Sequence, residues 1–530
     1  MADNIPHAQS AHPTVSIVVL NYNSMDHLGH NMDSLMRLDY PGEQIEILLV
    51  DNGSTDGSPE WVAVHYPSVR IVRNESNLGF AGGNTVAAEA ASGEWVAFLN
   101  PDTRVKPNWL SELIQPARRD PDVACVASRM LSWNGDEIDF ADAAINFMGW
   151  GCQPGLGSRR LGDFEQDKDL LFACGGAMLV KRRVFLNAGG FDPDYFAYYE
   201  DVDLGWRLWL MGYKVTLAAR AVVYHRHHGS WASVNDAQKW ALAERNTLFT
   251  LIKNFDDANL ARVLPAALLL MLQRAYLDIW PDPGVFGHVP AMPTGQVFGP
   301  RYYSDQMWQL LRDGAYRQLV RRTIDEVGRR WLRFRYSRLE PTIRSVTRPI
   351  DGQFDVPAAA FGRLVAGRDV LRAIPSLLHK RQVVQSARRR TDRQVFPLFQ
   401  WALLSNFENN QFIRAMRHVI ARFGLADVFD KHREWVPADR RITDLSLEVS
   451  LAVLGVVDRA LTLSRVSEAN FRVGEGPPAG VSRVPFESVA MLAEMNRLLW
   501  SLPDAPLGDL LSWLAEGCRR ITDSVVSTHG

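Results

Sequence analysis

The segment Tyr198–Arg207 reads YYEDVDLGWR and sets three carboxylates, Glu200, Asp201 and Asp203, in four positions among aromatic rings. On a solvated helix such crowding is mildly unfavourable, so it asks for a reason. A helix starting near Glu200 and ending at Gly212 puts all three acids in its first turn, where the dipole favours negative charge. Capping then accounts for one or two of them. The dipole also helps keep a carboxylate ionised, as a general base requires. Capping leaves the aromatic company unexplained, whereas a sugar ring, with apolar C–H faces, would stack on Tyr198, Tyr199 or Trp206.

Other reactive side chains stand where apolar runs end. Asp51 closes IEILLVD and opens DNGSTDGS, a stretch that also reads as a capped turn. In FLNPDT, alternation places Asn100 and Asp102 on one side of the chain. Oxygen ligands presented in this way suit Mg2+ or Mn2+ holding a diphosphate, and a type I turn explains the same letters equally well. His225 closes AARAVVYH ahead of His227 and His228; it is either part of a surface histidine cluster or a strand-end ligand completing a metal site with Asp102. The segment Asn77–Asn84, NLGFAGGN, opens a helix with glycines whose backbone N–H groups could approach a phosphate, or it is only a tight turn. The GxGxxG, GxxxxGK[ST] and GxSxG signatures are all missing from the chain, which removes the common dinucleotide, P-loop and serine-hydrolase readings.

The elements that must carry these residues are legible. VSIVVLNYN (15–23), IEILLVDNGS (45–54), VRIVRN (69–74) and EWVAFLNPD (94–102) are β-branched runs separated by helix-sized segments. They predict a buried, mostly parallel sheet with ligands at its carboxyl ends. Beyond about residue 234 the texture becomes helical, beginning with NDAQKWALAERNTLFTLIKNF. Two basic runs follow, within 312–348 and 379–393. The expected division is a flexible N-terminus at 1–13, an α/β domain at 14–260 and a mainly helical region at 261–530.

With 530 residues, 47% hydrophobic and 22% charged, the chain is folded and exceeds one core. A net charge of −2 speaks against a nucleic-acid partner. Four dispersed cysteines form no CxxC pair and fit a reducing compartment. The first residues show no secretory pattern. No stretch has the apolar length of a spanning helix; the nearest, Leu264–Leu277, carries Arg274 and reads as a buried helix or one lying on a membrane surface.

In their order, VSIVVLNYN, LLVDNGSTDGS, NLGFAGGN, FLNPDT, CGGAMLVKRRVFLNAGGFDPDYFAYYEDVDLGWRLWLMGYKV and VVYHRHHGS resemble glycosyltransferase family 2, especially its rhamnosyltransferase-like members with the GT-A fold. The likeness covers about 215 residues. LLHKRQVVQSARRRTD more weakly resembles an extension found in some of these enzymes. The resemblance implies that Asn21 and Tyr22 lie beside the base and ribose, with Asp51 hydrogen-bonding the base. It implies that Asn77, Gly79 and Asn84 border the nucleotide and sugar. Asn100-Pro101-Asp102 stands in place of DxD, leaving Asp102 its one carboxylate, and His225 is a further metal ligand. Asp201 is the implied catalytic base, shaped and supported by Glu200 and Arg207, with Gly175 and Gly176 in an acceptor loop.

The implied activity is inverting transfer of a sugar, rhamnose from dTDP-rhamnose or a similar donor, to a glycan or lipid-linked glycan, aided by Mg2+ or Mn2+. A nucleotidyltransferase on a related core and a non-catalytic scaffold of a polysaccharide assembly complex are the rival readings. Arginines interleaved with Trp331, Phe334 and Tyr336 read as solvated helix faces, as a peripheral contact with the cytoplasmic face of a membrane, or as an oligomer interface.

Overall fold

The computed structural model describes residues 12–226, 236–281, 285, 348–405, 407, 409–430, 439–463 and 482–526. Most of the expected flexible N-terminus, most of the basic run 312–348 with its aromatics, and His227 and His228 lie outside these residues.

All four expected strands form: β1 (Val15–Asn21), β2 (Ile45–Asp51), β3 (Arg70–Arg73) and β4 (Trp95–Leu99). Short strands β5 (Thr103–Val105), β7 (Ile138–Phe140), β8 (Ala144–Ile145), β9 (Gly151–Cys152) and β10 (Lys168–Asp169) alternate with the longer β6 (Val123–Ser132), β11 (Ala177–Lys181) and β12 (Lys214–His225). The main sheet runs β10-β12-β6-β11-β4-β1-β2-β3, with β5 on β12 and β7 on β6. Strands β1 to β4 pair in parallel. The expectation of a mostly parallel sheet needs correcting beyond them: β11 lies antiparallel between β4 and β6, and β12 returns parallel to β6, so the sheet is mixed. Flanked by helices, it has the curled GT-A arrangement.

Register does the positioning. Val15 pairs with Ile45 and Trp95, and Asn21 with Asp51, so β1, β2 and β4 end together. Their polar terminal residues therefore gather on the rim where parallel sheets bind ligands. On the far side, His225 of β12 pairs with Thr103 of β5, and the Arg226 N–H donates to the Asp102 carbonyl at 2.9 Å. That ladder brings a histidine 123 positions later to the rim.

The helical half packs on this layer as one continuous hydrophobic core. The helix Asp236–Asn254 packs against both the helix Glu200–Leu210 and the long helix Ala358–Ser386. The helix Asp257–Ile279 runs through the expected division at 260/261, so that line cuts a continuous element. By length and a mean hydropathy of 1.4 it could span a membrane, contrary to the expectation from sequence. In the fold it is nearly all buried, and Arg274 makes a two-pronged pair with buried Glu244, Nε–Oε1 2.9 Å and Nη2–Oε2 2.6 Å. A guanidinium satisfied inside the protein fits a core helix.

Candidate active site

The helix Glu200–Leu210 begins without a side-chain cap, so capping does not explain its acids. Each of the three has a different environment. Asp203, fully buried, accepts from Arg207 Nε at 2.8 Å, Lys253 Nζ at 2.9 Å and Asn254 Nδ2 at 3.0 Å. Burial alone would raise its pKa, but the charges of Arg207 and Lys253 hold it below the ordinary carboxylate value. It is a structural anion.

Asp201 stays partly open to solvent. Its Oδ2 accepts the Gly175 N–H at 2.9 Å and its Oδ1 the N–H of Val202 at 2.8 Å. Desolvation raises its pKa while these N–H groups oppose the rise. Glu200 is 5% exposed and its Oε2 has no hydrogen-bond partner. Burial first, then the neighbouring Asp201 charge, push its carboxyl well up. Of the two, Glu200 is pushed up the further, because only Asp201 has N–H donors on both oxygens.

At the other edge of the rim, His225 Nδ1 lies 2.5 Å from Asp139 Oδ2 and Nε2 lies 3.4 Å from Asp102 Oδ2. Burial alone would lower the histidine pKa, but the two carboxylates outweigh it and push it up to about 10. A carboxylate on one ring nitrogen, with the other turned to a second acid, is the arrangement that orients a metal-binding imidazole. Asp139, on the short strand β7, was not among the residues picked from sequence; IDF carries no signal beyond one acid between apolar neighbours. Among the described residues no group of three or more His, Cys, Asp or Glu forms a metal cage. The Asp102–His225 pair does suit Mg2+ or Mn2+, which commonly take few protein ligands and complete their shell with water and substrate phosphate.

Gly175 and Gly176 join the two edges. The Gly175 N–H holds Asp201, and a Cβ at Gly176 would stand 2.9 Å from Asn100 Nδ2. The Asn100 N–H in turn donates to the Gly176 carbonyl at 2.9 Å. Tyr22 is 46% exposed at the end of β1 and is available to a ligand. Asp51 Oδ1 accepts the Ser54 N–H at 3.0 Å, so it makes the turn that DNGSTDGS predicts, while Oδ2 lies 3.7 Å from Arg73. Asn77 Oδ1 accepts from Gly79 N at 2.8 Å and Asn52 Nδ2 at 2.9 Å, which shapes the glycine-rich loop.

Three expectations need correction, those for Trp206, Asn21 and Asn84. Trp206 is fully buried edge-on between Phe255 and Phe399, each ring centroid 4.9 Å away, so no sugar stacks on it. Asn21, also fully buried, donates to Ser54 and Ser58 and braces the β2 loop from beneath instead of touching a nucleotide. Asn84 is 2% exposed and donates back to the Phe80 carbonyl within its own helix. Arg207 does not reach Asp201; it binds Asp203 and the carbonyls of Ala188 and Gly190, and so supports the site at one remove.

The chain is similar to known proteins. Residues 16–188 match the Glycosyl transferase family 2 profile. Over 240 residues the chain is 30% identical to N-acetylglucosaminyl-diphospho-decaprenol L-rhamnosyltransferase of Mycobacterium tuberculosis (strain ATCC 25618 / H37Rv), covering 40% of this chain and 76% of the relative. Over 230 residues it is 32% identical to the O-antigen biosynthesis protein RfbC of Myxococcus xanthus, covering 41% of this chain and 18% of that one. Among solved structures, GalNAc-T7 with UDP, GalNAc and Mn2+ aligns at 18% identity and a TM-score of 0.40, over 48% of this chain and 51% of the other. With relatives of this kind and a GT-A-type sheet, the chain is a glycosyltransferase. The chain belongs to glycosyl transferase family 2.

Proposed function

We propose that this enzyme is an inverting, metal-dependent transferase that moves rhamnose from a nucleoside-diphosphate donor, dTDP-rhamnose or similar, to a hydroxyl of a glycan or lipid-linked glycan in cell-surface polysaccharide synthesis. The observation that carries the reading is Asp201: partly open, backbone-held, and joined through Gly175–Gly176 to the rim that ends in Asp102 and His225. The names of the mycobacterial and Myxococcus relatives support the sugar and the pathway class.

In this reading Tyr22 and the loop Asn77–Gly79 receive the nucleotide, and Asp102 with His225 would hold Mg2+ or Mn2+. The ion, when bound, offsets the charge that develops on the leaving diphosphate. Asp201 takes the proton of the acceptor hydroxyl as its oxygen bonds to the anomeric carbon. The bond from that carbon to the diphosphate oxygen breaks on the opposite face, and its electron pair leaves with the nucleoside diphosphate. Neutral Glu200 adds no second negative charge to the pocket. A lipid-linked acceptor would put the enzyme at the cytoplasmic face of the membrane as a peripheral protein.

The test is release of nucleoside diphosphate from a panel of nucleotide sugars with Mn2+ or Mg2+, with and without a glycan acceptor. Release from one donor, abolished in Asp102→Ala, supports the reading. Release of pyrophosphate would point to a nucleotidyltransferase, and failure to bind any donor by calorimetry would point to a scaffold.

A further inference from the structure

Three of the four residues before Glu200 are backbone outliers. Phe196, Tyr198 and Tyr199 have φ of 60°, 73° and 67°, a left-handed conformation that bulky side chains rarely adopt. Such strain persists only where the surroundings over-determine it, and it collects at functional sites.

Those surroundings come from outside the α/β layer. Asn246, fully buried on the helix Asp236–Asn254, directs its Nδ2 at the carbonyls of Tyr195 (2.9 Å), Ala197 (2.9 Å) and Tyr198 (2.8 Å). Two amide hydrogens thus serve three acceptors, one of them shared. Beside it, Arg245 Nη2 donates to the carbonyls of Asp194 at 2.7 Å and Tyr195 at 3.1 Å. On the other flank, the Phe196 carbonyl accepts the Ala81 N–H at 3.0 Å, and a Cβ on Gly79 would fall 2.4 Å from that same oxygen. The strained loop therefore sits between the glycine-rich loop and the helix that carries Asp201.

The far end of that helix is held from the same half of the chain. Arg390 donates to the carbonyls of Trp209 (3.2 Å), Gly212 (2.8 Å) and Tyr213 (2.5 Å), and the Arg389 N–H to that of Leu210 at 2.7 Å. A guanidinium on the last carbonyls of a helix satisfies groups the helix itself leaves open. Within the basic run 379–393, Arg389 and Arg390 thus close the end of the acidic helix.

We propose that Asn246 is a positioning residue: its carboxamide holds the loop 195–198 in the strained form that aims Asp201 at the acceptor hydroxyl, while Arg390 fixes the opposite end of the helix. This rests on Asp201 being the base. The helical half is then a brace for catalysis.

The test compares full-length Asn246→Ala, Asn246→Asp and Arg245→Ala with the parent and with Asp201→Asn. Turnover and its pH profile are measured below each variant's own melting temperature. Asn246→Ala should lose about 10²-fold in kcat, the effect of a misplacement of about 1 Å. Asn246→Asp should lose more, because it turns an acceptor toward three carbonyls. In both, the acidic limb of kcat should move to lower pH as water reaches Asp201, a shift that mere loss of stability does not produce. Arg245→Ala should move both readouts the same way by less, and it decides the matter if the Asn246 variants fail to fold. Parent-like kcat and pH profile in a folded clamp variant overturn the proposal while Asp201→Asn is inactive. If Asp201→Asn is itself active, it is the base assignment that falls.

Discussion

Asp139 faces His225 across 2.5 Å, and the opposite nitrogen of the same ring faces Asp102 across 3.4 Å. The first contact fixes which nitrogen is left for the rim, so an acid on a three-residue strand decides how a histidine on another strand presents itself. Removing the carboxylate charge while keeping the shape, in Asp139→Asn, should weaken Mn2+ affinity by about 10- to 100-fold, measured by calorimetry with a nucleoside diphosphate present. Unchanged affinity would mean that the imidazole is oriented by something else.

The two adjacent acids should respond unequally to neutral isosteres. Asp201→Asn should lower turnover by about 10²- to 10⁴-fold with donor binding retained, since a positioned base is removed. Glu200→Gln should lose far less, because burial favours the protonated form of Glu200. Equal losses in the two variants would show that Glu200 is ionised during turnover.

The pH dependence follows in sign from the same pair. The Asp201 pKa is raised above 3.8 by burial, and a base works only when ionised. As pH falls through that raised value the proton binds and kcat/KM declines. The acid limb should therefore lie at higher pH than for a solvated aspartate. A limb at or below pH 4 would contradict the environment described for Asp201.

Gly79 should not tolerate a side chain. Its φ is +71°, and a Cβ would meet the Phe196 carbonyl oxygen at 2.4 Å, an unyielding backbone atom. Gly79→Ala should impair both donor affinity and kcat, because the displaced oxygen belongs to the loop leading to Asp201. A variant with normal kinetics would show that the two loops move independently.

Lys253 joins Asp203 at 2.9 Å and Asp192 at 2.7 Å, all three buried. Lys253→Met leaves two acids without their shared partner and should cost about 3–5 kcal/mol, read from denaturant unfolding. Burial would raise the Asp192 carboxyl, but Lys253 and Lys380 hold it well below 3.8. Its contribution is therefore present above that value and is lost as pH falls below it. The variant, having lost that partner, should show a flatter acid limb of stability than the parent.

What could be read from sequence divides along a physical line. The strands β1 to β4 declared themselves because a buried parallel strand must be apolar along its whole length, and their ends located Asp51 and Asp102 with no knowledge of packing. Asp201 and His225 were reached through ordered motifs. Trp206, Asn21 and Asn84 were misjudged because residue type does not tell which way a side chain faces. Trp206 fits a sugar platform as well as it fits a pocket between two phenylalanines. Asp139 and Asn246 left no local trace, since each acts on a partner 86 or about 50 positions away.

Arg390 closes the helix Glu200–Leu210 across 177 to 181 residues of intervening chain. During synthesis the ribosome must travel that distance after Asp201 has emerged, roughly 10 to 40 s at about 5–20 residues per second. Throughout that interval the nascent α/β layer can bury its strands but lacks the guanidinium that satisfies the last carbonyls of its acidic helix. A truncated translation product stopping short of residue 390 would be born with that end of the helix open.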